Sequence, residues 1–71
     1  MQKTISIQAG VETPVLGISG IHTDILNLTN GFVYASSKAG VVADADGVIA
    51  IPSMARALLL DSGGSAFILG T

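Results

Sequence analysis

Cysteine is absent from the 71 residues, and histidine occurs once, as His22. These two absences remove the disulfide and the zinc site, the usual staples of so small a domain. Charge is scarce as well. Three basic and five acidic residues make up 11% of the chain, against about a quarter in an ordinary soluble domain. Lys3, Lys38 and Arg56 stand far apart in sequence, so no basic cluster is available to neutralise phosphates, which excludes a nucleic-acid partner. No basic amphipathic segment suits a membrane surface, and no apolar run approaches the roughly eighteen residues of a bilayer-spanning helix. The opening residues Met1-Gln2-Lys3-Thr4-Ile5-Ser6 lack the apolar core of a secretion signal, so a protein made in the cytoplasm is expected.

What is present is apolar. Hydrophobic residues make up 49% of the chain, more than a monomer near the lower size limit for a single core can hide. Burial against other copies or a second protein is the expected replacement for the missing staples, which predicts an oligomer or an assembly component. Three turn signals punctuate these apolar segments: Asn30-Gly31, Asp46-Gly47 and Gly63-Gly64. Such pairs tolerate the positive φ angles of two-residue hairpin turns. Their regular spacing predicts an all-β domain, a small antiparallel sandwich or barrel of roughly five to seven short strands built from hairpins.

Along the chain, Thr4 to Val11 alternates, with Ile5, Ile7, Ala9 and Val11 on one side, and predicts a half-buried strand. Pro14 cannot donate to a ladder and marks an edge, bulge or corner. Val15, Leu16 and Ile18 extend the chain before a loop from Gly17 to His22. A turn at Asn30-Gly31 would pair Thr29 with Phe32, Leu28 with Val33, Asn27 with Tyr34 and Leu26 with Ala35. Leu26, Leu28, Val33 and Ala35 then share an apolar core face, and Asn27, Thr29, Phe32 and Tyr34 share a mixed outer one. A second hairpin about Asp46-Gly47 would pair Ala45 with Val48, Ala43 with Ala50 and Val42 with Ile51. Ser53 to Asp61 reads either as a short helix behind a serine cap or as a turn followed by a buried strand from Arg56; its length favours the strand. Gly63-Gly64 would then start the return arm, Ala66 to Leu69. The whole is one domain, with residues 1–20 as an N-terminal strand or arm and 25–71 as the hairpin core.

Little of this carries chemistry. Asp44-Ala45-Asp46-Gly47 resembles the start of a calcium loop, but Val48, Pro52 and Ala55 occupy later ligand positions, and solvated turn residues are the better reading. His22 and Asp24 lack a nucleophile elbow, because Gly17-Ile18-Ser19-Gly20 is one residue short of Gly-x-Ser-x-Gly. Gly63-Gly64 has neither the lysine nor the following helix of a phosphate loop. No enzyme activity, metal or cofactor is therefore expected. Phe32, Tyr34 and Phe67, the only aromatics, read as core or interface anchors. Arg56 wants an acidic partner such as Asp61 or Glu12, preferably across an interface.

Three stretches carry a resemblance: Leu26-Asn27-Leu28-Thr29-Asn30, Val33-Tyr34-Ala35-Ser36, and Ala43-Asp44-Ala45-Asp46-Gly47-Val48-Ile49-Ala50-Ile51-Pro52. Over residues 25–71 the chain resembles small β domains of tailed-bacteriophage virion proteins, of the capsid-decoration and head-fibre kind. It departs from their pattern in a shorter turn after Leu28 and in Ser53-Met54-Ala55, where such domains are glycine-rich. The resemblance implies a structural protein of the virion, made in the host bacterium. It implies self-association, with a trimer favoured, and contact with the major capsid protein or another virion protein. Ile5, Ile7, Val11, Phe32, Tyr34, Arg56, Leu59 and Phe67 are the candidate interface residues. The N-terminal strand would exchange with a neighbour or dock on the shell, so deleting residues 1–11 should abolish capsid binding. A different class of function is a carbohydrate- or receptor-binding module of a fibre or tail, with Tyr34, Phe32 or Asn27 exposed in a cleft.

Overall fold

The computed structural model describes residues 4–16, 23–59 and 65–71. Among them are six strands and no helix: β1 (Glu12–Leu16), β2 (Thr23–Leu26), β3 (Val33–Ser36), β4 (Ile49–Ile51), β5 (Arg56–Leu59) and β6 (Ser65–Gly70). They form a four-stranded antiparallel sheet in the order β1-β6-β3-β4 and a two-stranded ribbon of β2 and β5. The all-β expectation holds. The helical alternative over Ser53 to Asp61 does not, since a turn at Ser53-Met54 leads into β5.

The core lies between the two sheets and is wholly aliphatic. Val33, Ala35, Ile51 and Ile68 form its buried centre, and Ile7, Val15, Ile25, Ile49, Ala55 and Ala57 pack around them. The period of two explains this membership. Register places Ile68, Ala35 and Ile49 in one row across the sheet and Gly70, Val33 and Ile51 in another, two residues on, so both rows point to the same side. Ile25 and Ala57 pair directly on the ribbon and close the core from the other side.

The expected hairpins are mostly not the ones formed: among the described strands, β3 and β4 are consecutive partners, while the other pairings join strands distant in sequence. The register expected about Asn30-Gly31 is absent, because β4 and β6 take both edges of β3, while Leu26 pairs with Arg56 of β5. Neither Asn30 nor Gly31 has the positive φ that a type I′ turn needs. About Asp46-Gly47, Val48 does donate its N–H to Ala45 O (3.2 Å), with Gly47 at φ +80°, but pairing does not propagate. A second turn, Ala45 N–H to Val42 O at 3.2 Å with Asp44 at φ +64°, folds the expected first arm away, and Ala50 and Ile51 face Tyr34 and Val33 instead. Gly63-Gly64 and the loop from Gly17 to His22 lie outside the described residues, but β5 pairs with β2 and β6 with β1 and β3.

The N-terminal strand is also corrected. Residues 4–8 join no sheet; Ala9 makes a single parallel bridge to Gly70. Burial alternates only as far as Ile7, because a turn with Gly10 at φ +74° and Val11 N–H on Gln8 O (3.2 Å) redirects the chain into β1. Pro14 then sits on the sheet edge, where its missing N–H costs no ladder bond.

Candidate interaction faces and the residues that set them

The face of the four-stranded sheet turned away from the core collects every aromatic in the chain. Glu12, Leu69, Tyr34 and Ala50 form one row across it, and Pro14, Phe67 and Ser36 the next. Phe32, two residues before Tyr34, is 48% exposed, and the two rings lie 6.4 Å apart at an interplanar angle of 20°. They form an apolar shelf of two stacked rings. Thr71 steadies its end by donating its hydroxyl to Phe32 O (2.8 Å).

Part of this face is covered by the chain itself. The segment 37–48 leaves β3 and reaches Glu12, two strands away on β1. There the carboxylate accepts the N–H groups of Gly40 (3.3 Å) and Val41 (2.5 Å), charge-assisted bonds stronger than neutral ones. The strap therefore crosses β6, and its passage buries Val41 and Ser36. Ser36 Oγ accepts the Lys38 N–H (3.1 Å) where the strap begins. The Phe32–Tyr34 shelf and Ala50, beyond β6, are left open.

The ribbon presents a second outward face. Asp24 pairs with Leu58 and Leu26 with Arg56, and all four point away from Ile25 and Ala57 and so away from the core. Leu26 is 43% exposed and Leu58 61%. Arg56 Nε lies 3.4 Å from Asp24 Oδ1, both side chains about half exposed, so this ion pair contributes little to folding. Arg56 thus has a partner within the chain that is neither of the two expected. Glu12 is occupied by the strap, and Asp61 lies outside the described residues. Leu28 and Met54, also strongly exposed, follow just past the end of the ladder.

Asn27 explains why the leucines face out. Buried between Leu26 and Leu28, it donates its Nδ2 to Gly31 O and Ile51 O (2.8 Å each). Its Oδ1 accepts Thr29 N–H (2.9 Å) and Thr29 Oγ1–H (2.7 Å). Its backbone continues the ribbon by one rung, donating to Ala55 O (2.9 Å) and accepting Met54 N–H (2.7 Å). A carboxamide so fully engaged is cheap to bury, and once it points inward its neighbours on either side must point out. The expected core face over Leu26 and Leu28 is therefore wrong, whereas Val33 and Ala35 are buried as expected. The signal was present in Asn27-Leu28-Thr29-Asn30-Gly31, an Asx-turn composition, but the apolar alternation outweighed it.

The other sequence-derived candidates divide. Phe32, Tyr34 and Phe67 come together on the outer sheet face, and Arg56 lies on the ribbon. Ile7 is spent within the chain: a Cβ on Gly70 would sit 2.6 Å from Ile7 Cγ2, and Gly10 N–H donates to Gly70 O (2.9 Å), so the arm rests on its own β6. Ile5 is half-buried, Val11 is 48% exposed, and Leu59 stands opposite Thr23 at the end of the ribbon. Asp44 and Asp46 are exposed in the tandem turns. Among the described residues no three His, Cys, Asp or Glu side chains come together to hold a metal ion, and no helix is long and apolar enough to cross a membrane. Compared with protein-family models, curated proteins and solved structures, the chain matches none of them.

Proposed function

We propose that this chain is a non-enzymatic structural protein that works by burying its outer sheet face in an assembly. On its sequence resemblance, we take that assembly to be the capsid of a tailed bacteriophage. The observation that carries the reading is the segregation of side chains: an aliphatic core, with all three aromatics on the outward face of the four-stranded sheet. Aromatic rings supply the largest apolar payload a small domain owns, and Phe32 and Tyr34, outside the core and clear of the strap, are available for a partner. Burying a half-exposed ring contributes about 1–3 kcal/mol, so one ring from each of several copies adds up quickly on a symmetric shell. The partners are other copies, with a trimer favoured, and the major capsid protein or another virion protein, and the location is the virion. Stabilisation of the shell follows by mass action, since a protein that binds only the assembled state shifts the equilibrium toward it.

The test is binding to shells that lack this protein. Wild type should co-sediment with them and raise their disassembly temperature, while Tyr34→Ser and Phe32→Ser, both folded, should bind at least tenfold more weakly. Equal binding by those variants, or none by wild type, removes the reading. A second reading rests on the Phe32–Tyr34 shelf, two stacked rings of which Phe32 is half open to solvent, aromatic surface of the kind on which a sugar can stack. It makes the chain a glycan-binding module of a fibre or tail. A screen in which no glycan shifts the NMR signals of either ring removes it.

A further inference from the structure

We infer that the outward face of the β2–β5 ribbon is a two-fold contact between two copies of this chain, separate from the aromatic face proposed for the shell and from the contacts of the proposed trimer. The four outward side chains make a square. Asp24 and Leu58 form one row, Leu26 and Arg56 the other, so the charges occupy one diagonal and the leucines the other. Two copies can be laid face to face about a two-fold axis in the contact plane in few ways. An axis along the strands sets Asp24 against Leu58, and an axis across them sets Asp24 against Leu26; each opposes a carboxylate to a leucine. An axis along the charge diagonal sets Asp24 against its own copy. An axis along the leucine diagonal sets Asp24 against the second copy's Arg56, twice, and each leucine against its counterpart. That arrangement closes a ring of four alternating charges, flanked on either side by a pair of facing leucines. It is the self-complementarity that an isologous interface requires.

The exposures fit this use. Leu26 and Leu58 are 43% and 61% open, and the Asp24–Arg56 pair stays half-exposed, with spare donors and acceptors for a second partner. Leu28 and Met54, 60% and 67% exposed, border the square and widen the contact. The patch is smaller than the roughly 800 Å² per partner of a standard stable interface, so the free protein should dimerise weakly, in the micromolar to millimolar range.

Mixing charge variants tests the contact directly. Asp24→Arg gives a chain with two arginines on the face, and Arg56→Asp a chain with two aspartates. Each alone should associate about tenfold more weakly than wild type, because both intermolecular pairs become repulsive. An equimolar mixture should regain wild-type association as a heterodimer, since each arginine then meets an aspartate of the other chain. A role confined to the ion pair within one chain cannot be rescued by mixing. Light scattering and analytical ultracentrifugation up to about 1 mM read the mass, and circular dichroism verifies that both variants fold. A wild-type monomer throughout that range overturns the inference, as does a mixture no more associated than its components. The aromatic face is unaltered in both variants, so shell binding and this self-contact can fail independently.

Discussion

Replacing Asn27 with alanine is the sharpest test of how this fold is held. The carboxamide makes four side-chain hydrogen bonds, two donated to the carbonyls of Gly31 and Ile51 and two accepted from Thr29. The bond to Ile51 O is buried, and leaving that carbonyl without its partner should cost about 1–3 kcal/mol. The other three are partly buried, and water can recover some of their energy, so together they add about 1–2 kcal/mol. A loss of about 3 kcal/mol is expected, from a domain whose total stability at this length is about 4–10 kcal/mol. The melting temperature should fall by roughly 15–20 °C. Urea unfolding followed by circular dichroism measures the loss, with an unchanged m-value showing that the folded and unfolded states are comparable. Asn27→Asp adds a control of sign. A buried carboxylate facing two carbonyls has its folded-state pKa raised above the unfolded value, because only the protonated form can donate. Stability relative to wild type should therefore be highest below the unfolded pKa and lost as pH rises through the folded one. An alanine variant within 1 kcal/mol of wild type, or an aspartate variant with no such pH dependence, would refute the reasoning.

Three further perturbations probe the arm, the turn and the strap. Gly70→Ala places a methyl 2.6 Å from Ile7 Cγ2 and 3.2 Å from Gln8 O, so the arm must lift; a loss of about 1–3 kcal/mol and faster proteolysis before Gly10 are expected. Met54 holds φ +63° at the third position of the Pro52–Ala55 turn and is 67% exposed, so Met54→Gly should relieve strain at little packing cost. A gain of about 1 kcal/mol in urea is expected, and a loss would show that the exposed methionine side chain contributes to folding. Glu12→Ala removes the anchor of the strap, so the amides of Gly40 and Val41 should exchange with deuterium at least tenfold faster while those of β3 and β6 keep their protection.

Composition and turn chemistry made the fold class legible. The aspartates and glycine between short β-rich runs mark a real reversal at Ala45–Val48, and the turn expected over Ser53 to Ala55 is real as well. Which strands meet across the reversals was not legible. A hairpin is the cheapest pairing for a turn to make locally, but β3 gains more by sitting between β6 and β4, with Val33 and Ala35 buried on the sheet's inner side. That gain depends on residues more than thirty positions away, and no local pattern encodes it.

The same limit governs the site, and Asn27 shows why. Alternation divides a strand into two faces but does not say which face is the inside. Between Leu26 and Leu28, apolar counting chooses the leucines, whereas the carbonyls of Gly31 and Ile51 choose the carboxamide. Had the leucines gone inward, Asp24 and Arg56 would have gone with them toward the core, and Ile25 and Ala57 would have faced out. The inversion leaves Leu26 and Leu58 outside beside an ion pair, while the strap leaves the Phe32–Tyr34 shelf open on the other sheet. The buried amide thus accounts for the leucines on the ribbon's outward face, and the course of the strap for the open aromatic face. Under the proposed function, one of these faces serves other copies of the chain and the other its host.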